Sequence, residues 1–116
     1  LDFLRKCFKK LRLIHWQVIF FQVLSVLAII HEKYPAFRHN DLKANNILVQ
    51  KCSNRDDTKC FGYEIGNNIF AVPNIGLQIK LWDFDFACIA GKIENSKVNA
   101  EWCDKLNIKP TNPKTK

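Results

Sequence analysis

Hydrophobic and polar positions follow two different patterns along this chain, and each predicts its own kind of element. Residues 11–32 are apolar over most of their length and predict one long helix. Four short runs rich in β-branched and aromatic residues, separated by turn residues, predict small antiparallel strands: 47–50, 60–66, 68–73 and 77–84. The order of helix, loop and small strands predicts an α+β fold.

The predicted long helix carries a polar stripe. At about 100° per residue, five of its polar side chains fall within roughly half of the circumference: Arg12, His15, Gln22, Ser25 and Glu32. Segment 13–30 is apolar enough for a membrane span, which is the alternative interpretation. A polar stripe is typical of a central helix in a soluble domain with one wet or functional side, and we expect no membrane association. Tyr34-Pro35 should end the helix, because proline disfavours helical geometry at the preceding residue.

A dense polar segment, "HNDLKANN", lies between this helix and the first strand. It is too rich in asparagine for a stable helix, so 38–46 is predicted to be a loop. Asp83 ends the strand 77–84. If strand 47–50 pairs with that strand, Asp41, Asn46 and Asp83 converge at one end of a small sheet.

These residue types are the parts that phosphoryl transfer requires. Carboxylate and carboxamide oxygens are hard ligands suited to Mg²⁺, which predicts Asn46 and Asp83 as metal ligands. Lys43 lies two residues after Asp41 and could neutralise a phosphate. Asp41 is then left to orient a hydroxyl nucleophile and accept its proton.

Two motifs resemble those of protein kinases. "HNDLKANN" is similar to the catalytic loop H-R-D-L-K-x-x-N, and "DFD" at 83–85 is similar to D-F-G. The helix before the loop also resembles the family, so the joint match covers about residues 13–90. The segments "FRHNDLKANNILV" and "IKLWDFDFA" together most resemble the divergent serine/threonine kinases of large DNA viruses.

The resemblance implies a role for each matching residue. Asp41 matches the catalytic base, Lys43 the lysine that contacts phosphate, and Asn46 and Asp83 the metal ligands. His39 matches a residue that supports the loop, and Phe84 one that packs into a hydrophobic spine. The implied cofactors are ATP and Mg²⁺, and the implied partner is a protein substrate phosphorylated on Ser or Thr.

The chain also departs from the kinase pattern. Asn40 replaces an arginine that commonly pairs with a phosphate on the activation loop, which argues against activation by that route. Asp85 replaces a glycine. Glycine adopts positive φ readily, and any other residue does so less freely, so backbone flexibility at position 85 is expected to be reduced. Residues 51–76 are predicted to be a hairpin insertion.

No G-x-G-x-x-G loop and no V-A-I-K-like lysine occur in the sequence. We therefore expect residues 1–108 to be a partial kinase catalytic domain without its small lobe, inactive alone, with 99–108 as a short helix and 109–116 as a flexible tail. The chain opens on Leu1, which predicts that the start of the natural protein is absent.

Composition adds little to the expected function. The 116 residues suit one small domain, and a net charge of +7 favours anionic partners or simply solubility. The basic residues are dispersed, so no specific nucleic acid is expected, and a general polyanion binder is a further alternative. Five cysteines without a C-x2-C pair predict reduced thiols and an intracellular location, in the host cytoplasm or the virion if the protein is viral. The oligomeric state stays open.

Two further functions compete with the protein kinase. The first is a small-molecule phosphotransferase of the choline or aminoglycoside kinase type, whose motifs also include H-N-D and an acidic residue after D-F. Asn40 and Asp85 favour it, whereas Lys43 favours a protein kinase. The second is a non-catalytic kinase remnant that acts as a binding module.

Overall fold

A computed structural model of the chain describes residues 2–52 and 59–98. The predictions of a helix at 99–108 and a flexible tail at 109–116 lie outside these residues. The helical elements are α1 (Asp2–Cys7), a 3₁₀ turn (Phe8–Lys10), α2 (Leu13–Lys33) and a second 3₁₀ turn (Ala44–Asn46). The strands are β1 (Phe37–Arg38), β2 (Ile47–Lys51), β3 (Cys60–Ile65), β4 (Asn68–Pro73), β5 (Leu77–Leu81) and β6 (Cys88–Ile89). A mixture of helices and small antiparallel sheets confirms the predicted α+β class.

The long helix α2 ends where the sequence predicted. Its last hydrogen bond runs from the backbone amide of Tyr34 to the carbonyl of Ile30 at 2.7 Å, directly before Pro35. Its start is two residues later than predicted, at Leu13, because Arg12 has extended backbone geometry. The backbone amide of Arg12 donates to Nδ1 of His15 at 2.9 Å, so a side chain of the first turn satisfies an amide at the helix start.

The polar stripe of α2, predicted to be a wet or functional side, is shielded from water at its central residues. His15, Gln22 and Ser25 are all buried. Gln22 Oε1 accepts a hydrogen bond from the backbone amide of Ile79 at 2.7 Å, and Gln22 Nε2 donates to the carbonyl of Leu77 at 3.1 Å. The carboxamide therefore satisfies backbone groups of β5 that would otherwise be buried without partners. At Gln22 the stripe is polar because the side chain binds a strand.

The opposite side of α2 exposes apolar side chains. Leu13, Phe20 and Leu24 each expose more than 60% of their surface. Within the described residues α2 is the helix that is long and apolar enough to cross a membrane. Its other side packs on β5 and β3. The expectation of no membrane association stays a prediction.

The strands form three antiparallel pairs. In β2–β5 the register runs from Ile47 opposite Leu81 to Lys51 opposite Leu77, which confirms the pairing on which the predicted site depends. In β3–β4, a tight hairpin closes between Ile65 and Asn68, and Gly66 adopts φ +59° at the first position of its turn, where glycine is favoured. The short pair β1–β6 was not predicted.

The buried core lies between α2 and strands β4 and β5. Its buried members are apolar and β-branched: Val18, Ile19, Val23, Val72, Ile75 and Ile79. Phe21 of α2 also meets the hairpin, with its ring 5.4 Å from Tyr63 and 5.4 Å from Phe70 between centroids. The hairpin is thus packed on the same helix that supports β5. The insertion expected at 51–76, relative to the kinase pattern, stays a prediction.

Candidate active site

The backbone of Trp82 joins the polar loop to the end of β5. The amide of Trp82 donates to the carbonyl of Asn46 at 2.9 Å, which continues the β2–β5 ladder. The carbonyl of Trp82 lies 3.0 Å from Nε2 of His39, which therefore carries the proton of this hydrogen bond. Both ends of the loop 39–46 are consequently fixed to the residue directly before Asp83.

Asp41, Lys43 and Asn46 form one connected cluster. Lys43 Nζ lies 3.0 and 2.9 Å from the two carboxylate oxygens of Asp41. Asn46 Nδ2 donates to Oδ2 of Asp41 at 3.0 Å and to the Asp41 carbonyl at 2.8 Å. Asn46 is buried, whereas the Asp41 side chain keeps 24% of its surface exposed. The structure therefore brings together three of the four predicted site residues through side-chain contacts.

Asp41 is held in its ionised form. The hydrogen bond from Lys43 is the largest cause that lowers the pKa of Asp41, and the positive charge of Lys43 and the hydrogen bond from Asn46 add to it. Partial burial opposes these effects but does not outweigh them. At neutral pH Asp41 is a carboxylate with a partly open face, which is the form that a proton acceptor needs.

Asp83 follows β5 with an unusual backbone conformation. Its φ is +59°, in the left-handed region that aspartate tolerates better than most residues. This turn ends the strand at Leu81, so the predicted run to residue 84 was too long. Oδ1 of Asp83 accepts a hydrogen bond from the backbone amide of Asp85 at 3.2 Å, which orients the carboxylate.

The replacement of glycine at position 85 causes no strain. Among the described residues other than glycine, positive φ occurs at Asn40 (+64°) and Asp83. Asp85 does not share this conformation, so the freedom that glycine would supply there is not used. The unusual backbone geometry lies at Asn40, directly before Asp41, and at the site residue Asp83.

His39 and Phe84 form the apolar side of the site. His39 is buried, and its ring centroid lies 5.0 Å from that of Phe84. The Phe84 ring also lies 6.5 Å from Phe37, yet 48% of its surface is exposed. His39 thus contacts the neighbouring segment as expected, whereas the expected packing of Phe84 into a hydrophobic spine is only half complete within the described residues.

The donor atoms fit a magnesium ion supported by phosphates. Nδ2 of Asn46 is engaged with Asp41, which leaves the amide oxygen of Asn46 as its ligand atom, and Oδ2 of Asp83 is the carboxylate oxygen not bonded to Asp85. Within residues 2–52 and 59–98, no three side chains of His, Cys, Asp or Glu are grouped to hold a metal by themselves. Mg²⁺ commonly takes one or two protein oxygens and completes its shell with phosphate and water.

Sequence reasoning missed the side chains that hold the segment after Asp83. Asn40 Nδ2 donates to the carbonyl of Phe86 at 2.9 Å and contacts Sγ of Cys88 at 3.3 Å. Asn95 and Lys97 bind the same segment from its other end. The replacement of arginine by Asn40 was a visible signal, but nothing in the local sequence around Asn95 indicates a partner ten residues away.

An H-x-D-x-K-x-x-N loop bonded to the residue before a D-F-x segment, in an α+β chain, is the arrangement of the protein-kinase class. The model of the family described as poxvirus serine/threonine protein kinase matches residues 6–109, and the chain belongs to that family. The predicted relationship to kinases of large DNA viruses is therefore confirmed.

Two relatives come from Acanthamoeba polyphaga mimivirus. The protein called "Putative serine/threonine-protein kinase R400" is 54% identical over 110 residues, which are 93% of this chain and 24% of that protein. The protein called "Putative serine/threonine-protein kinase R301" is 35% identical over 78 residues, 67% of this chain and 20% of that protein. The chain thus spans about a quarter or less of each relative's length. No solved structure matches the chain.

Proposed function

We propose that the full-length protein containing this chain transfers phosphate from ATP to serine or threonine residues of protein substrates, with Mg²⁺ as cofactor. The observation that carries the proposal is the link through Trp82, which fixes the cluster of Asp41, Lys43 and Asn46 beside Asp83. Membership of a serine/threonine kinase family supports it. The intracellular location and the domain boundaries predicted from the sequence remain part of the proposal.

Each residue of the site has one task. Asp41, ionised at neutral pH, orients the substrate hydroxyl and accepts its proton. The hydroxyl oxygen bonds to the γ-phosphorus of ATP as the bond from that phosphorus to ADP breaks, and ADP leaves. Lys43, whose side chain is 55% exposed, contacts both Asp41 and the transferred phosphate. The oxygens of Asn46 and Asp83 would hold the metal. Bound Mg²⁺ would neutralise the phosphate oxygens during transfer.

The competing functions make different predictions. A choline or aminoglycoside type of phosphotransferase would phosphorylate amino-alcohols and leave peptides unmodified, so a substrate panel separates it from a protein kinase. Family membership and the contact between Lys43 and Asp41 favour the protein kinase. A non-catalytic remnant would show no Mg²⁺-dependent stabilisation by nucleotide in a thermal shift.

The decisive experiment measures phosphate transfer to Ser/Thr peptides by the full-length protein and its variants. Asp41→Asn should lower kcat by about 10²–10⁴, the usual range for loss of a general base. Asp83→Asn should abolish Mg²⁺-dependent transfer. Glu64→Gln changes an exposed carboxylate of the hairpin in the same way and should leave both activity and Tm unchanged. Full activity in both Asp41→Asn and Asp83→Asn would overturn the proposal.

A further inference from the structure

Two carboxamides bind three consecutive carbonyls after Asp83. Asn95 Nδ2 donates to the carbonyl of Asp85 at 2.7 Å and to that of Ala87 at 3.1 Å. Asn40 Nδ2, which belongs to the loop before Asp41, donates to the carbonyl of Phe86 at 2.9 Å. The segment 85–87 is therefore held from both sides by side chains that lie outside it.

Lys97 adds a charged contact to the same segment. Its ammonium group forms an ion pair with the carboxylate of Asp85, and the ammonium also lies 5.9 Å from the centre of the Phe86 ring. Asn95 Oδ1 accepts a hydrogen bond from the backbone amide of Lys97 at 3.0 Å, so Asn95 also fixes the position from which Lys97 extends. Both partners of the ion pair are about half exposed, so the pair contributes little stability and acts mainly by restricting where Asp85 can lie.

These contacts lead directly to Asp83. The backbone amide of Asp85 donates to Oδ1 of Asp83, while the carbonyl and the carboxylate of Asp85 are bound by Asn95 and Lys97. The hydrogen bond from the Asp85 amide orients the Asp83 carboxylate and also supports the left-handed backbone of Asp83, which is rarely adopted without support. Release of Asp85 would free the amide that orients Asp83.

We propose that Asn95 and Lys97 are positioning residues that, together with Asn40, hold the Asp83 carboxylate in the direction required for Mg²⁺ binding. This inference rests on the proposed function, since it assigns the carboxylate to a metal. The segment 83–88 is held by uncharged amides and one lysine of the chain itself. Its order then requires no added phosphate group.

The test uses the full-length protein with Asn95→Ala and Lys97→Met. Asn67→Ala, in the exposed hairpin turn, and Lys92→Met, at an exposed lysine before Asn95, are the matched controls. We expect the Mg²⁺ concentration for half-maximal peptide phosphorylation to rise about tenfold in Asn95→Ala and about threefold in Lys97→Met. The KM for peptide should stay close to wild type, and the Tm should fall only slightly because the Asn95 hydrogen bonds are exposed or half-buried. Both controls should behave as wild type.

Hydrogen exchange of the nucleotide-free protein supplies a readout that does not depend on activity. Amides of peptides covering 83–89 should exchange faster in Asn95→Ala, while those of β3 and β4 should not change. Unchanged exchange at 83–89, or faster exchange with an unchanged Mg²⁺ requirement, would overturn the positioning role. A fall in Tm with parallel loss of every kinetic parameter would show a structural role only.

Failure of the proposed function gives a different result. If nucleotide and Mg²⁺ neither stabilise the wild-type protein nor support transfer to any substrate, the kinase proposal is wrong and the assignment of Asp83 to a metal falls with it. The exchange experiment would still decide whether Asn95 holds the segment.

Discussion

The carboxamide oxygen of Gln22, in the middle of α2, accepts a hydrogen bond of 2.7 Å from the backbone amide of Ile79 in β5. The nitrogen of the same carboxamide donates to the carbonyl of Leu77. A helix side chain thus takes the place of a neighbouring strand along one edge of β5. Because β5 pairs with β2 and leads to Asp83, this contact sets the position of the candidate active site relative to the helix.

Gln22→Leu should destabilise the protein. It would leave the amide of Ile79 and the carbonyl of Leu77 without partners in a buried place, at about 1–3 kcal/mol for each unsatisfied group. Gln17→Leu, at an exposed position of the same helix, is the matched control and should change the free energy of unfolding by less than about 0.5 kcal/mol. Urea denaturation measures both, and equal effects would show that the Gln22 contacts contribute nothing.

Asn40→Arg, which restores the residue common in kinases, should lower stability. The arginine would lose the hydrogen bond to Phe86 and occupy a left-handed conformation with φ +64°, and together these cost about 1–3 kcal/mol. Asn40→Gly keeps the conformation and loses only the hydrogen bonds. Thermal unfolding of the two variants separates the cost of the lost hydrogen bond from the cost of the backbone conformation. The glycine variant should be the more stable. The reverse order would contradict the role of backbone conformation.

The Asp41–Lys43 pair predicts the acid dependence of activity. Because the folded protein lowers the pKa of Asp41, the stabilisation from its ionised form is fully present above the ordinary aspartate pKa of 3.8 and is lost as pH falls through the lowered value. Loss of activity from protonation of Asp41 should therefore begin only below the ordinary aspartate range. In Lys43→Met the pKa rises, so the acid limb of kcat/KM should move to higher pH. An unmoved limb would exclude Lys43 as the main cause.

Two glycines of the hairpin offer a paired test of backbone conformation. Gly66→Ala should destabilise by about 1–2 kcal/mol, since φ is +59° there. Gly62→Ala should be close to neutral, because its new methyl group would meet only Ile69, at an ordinary 3.9 Å. Calorimetry of both variants checks the difference, and equal Tm values would contradict the assigned turn.

Local patterns in the sequence predicted the elements that local interactions determine. The hairpin strands β3 and β4 end where Gly66-Asn67 and Pro73 interrupt the apolar runs, and α2 ends before Pro35. The pair β1–β6 was not predictable, because each strand has two residues and its partner lies about fifty positions away. The stripe on α2 was visible, but angular position shows only that a face is polar, not whether water or the backbone of β5 satisfies it.

The candidate site, like the fold, could be predicted only in part. The four residues within the two motifs could be predicted because their chemistry and order are visible in the sequence. Asn95 was not, since an asparagine in a polar loop resembles any turn residue until its carbonyl partners are known. Every residue has a backbone carbonyl, so a side chain that binds one does not require any particular residue type as its partner. Such a contact therefore cannot be recognised from the sequence.

Trp82 joins the loop to the strand through its backbone amide and carbonyl alone. Its side chain takes no part in these two hydrogen bonds and is 59% exposed. Mutation of the indole therefore leaves both hydrogen bonds of residue 82 in place. Among the twenty amino acids only proline lacks the amide that bonds to Asn46. Over evolutionary time position 82 can vary widely in identity while the loop and the strand stay joined, so its importance would be invisible in a comparison of amino-acid types.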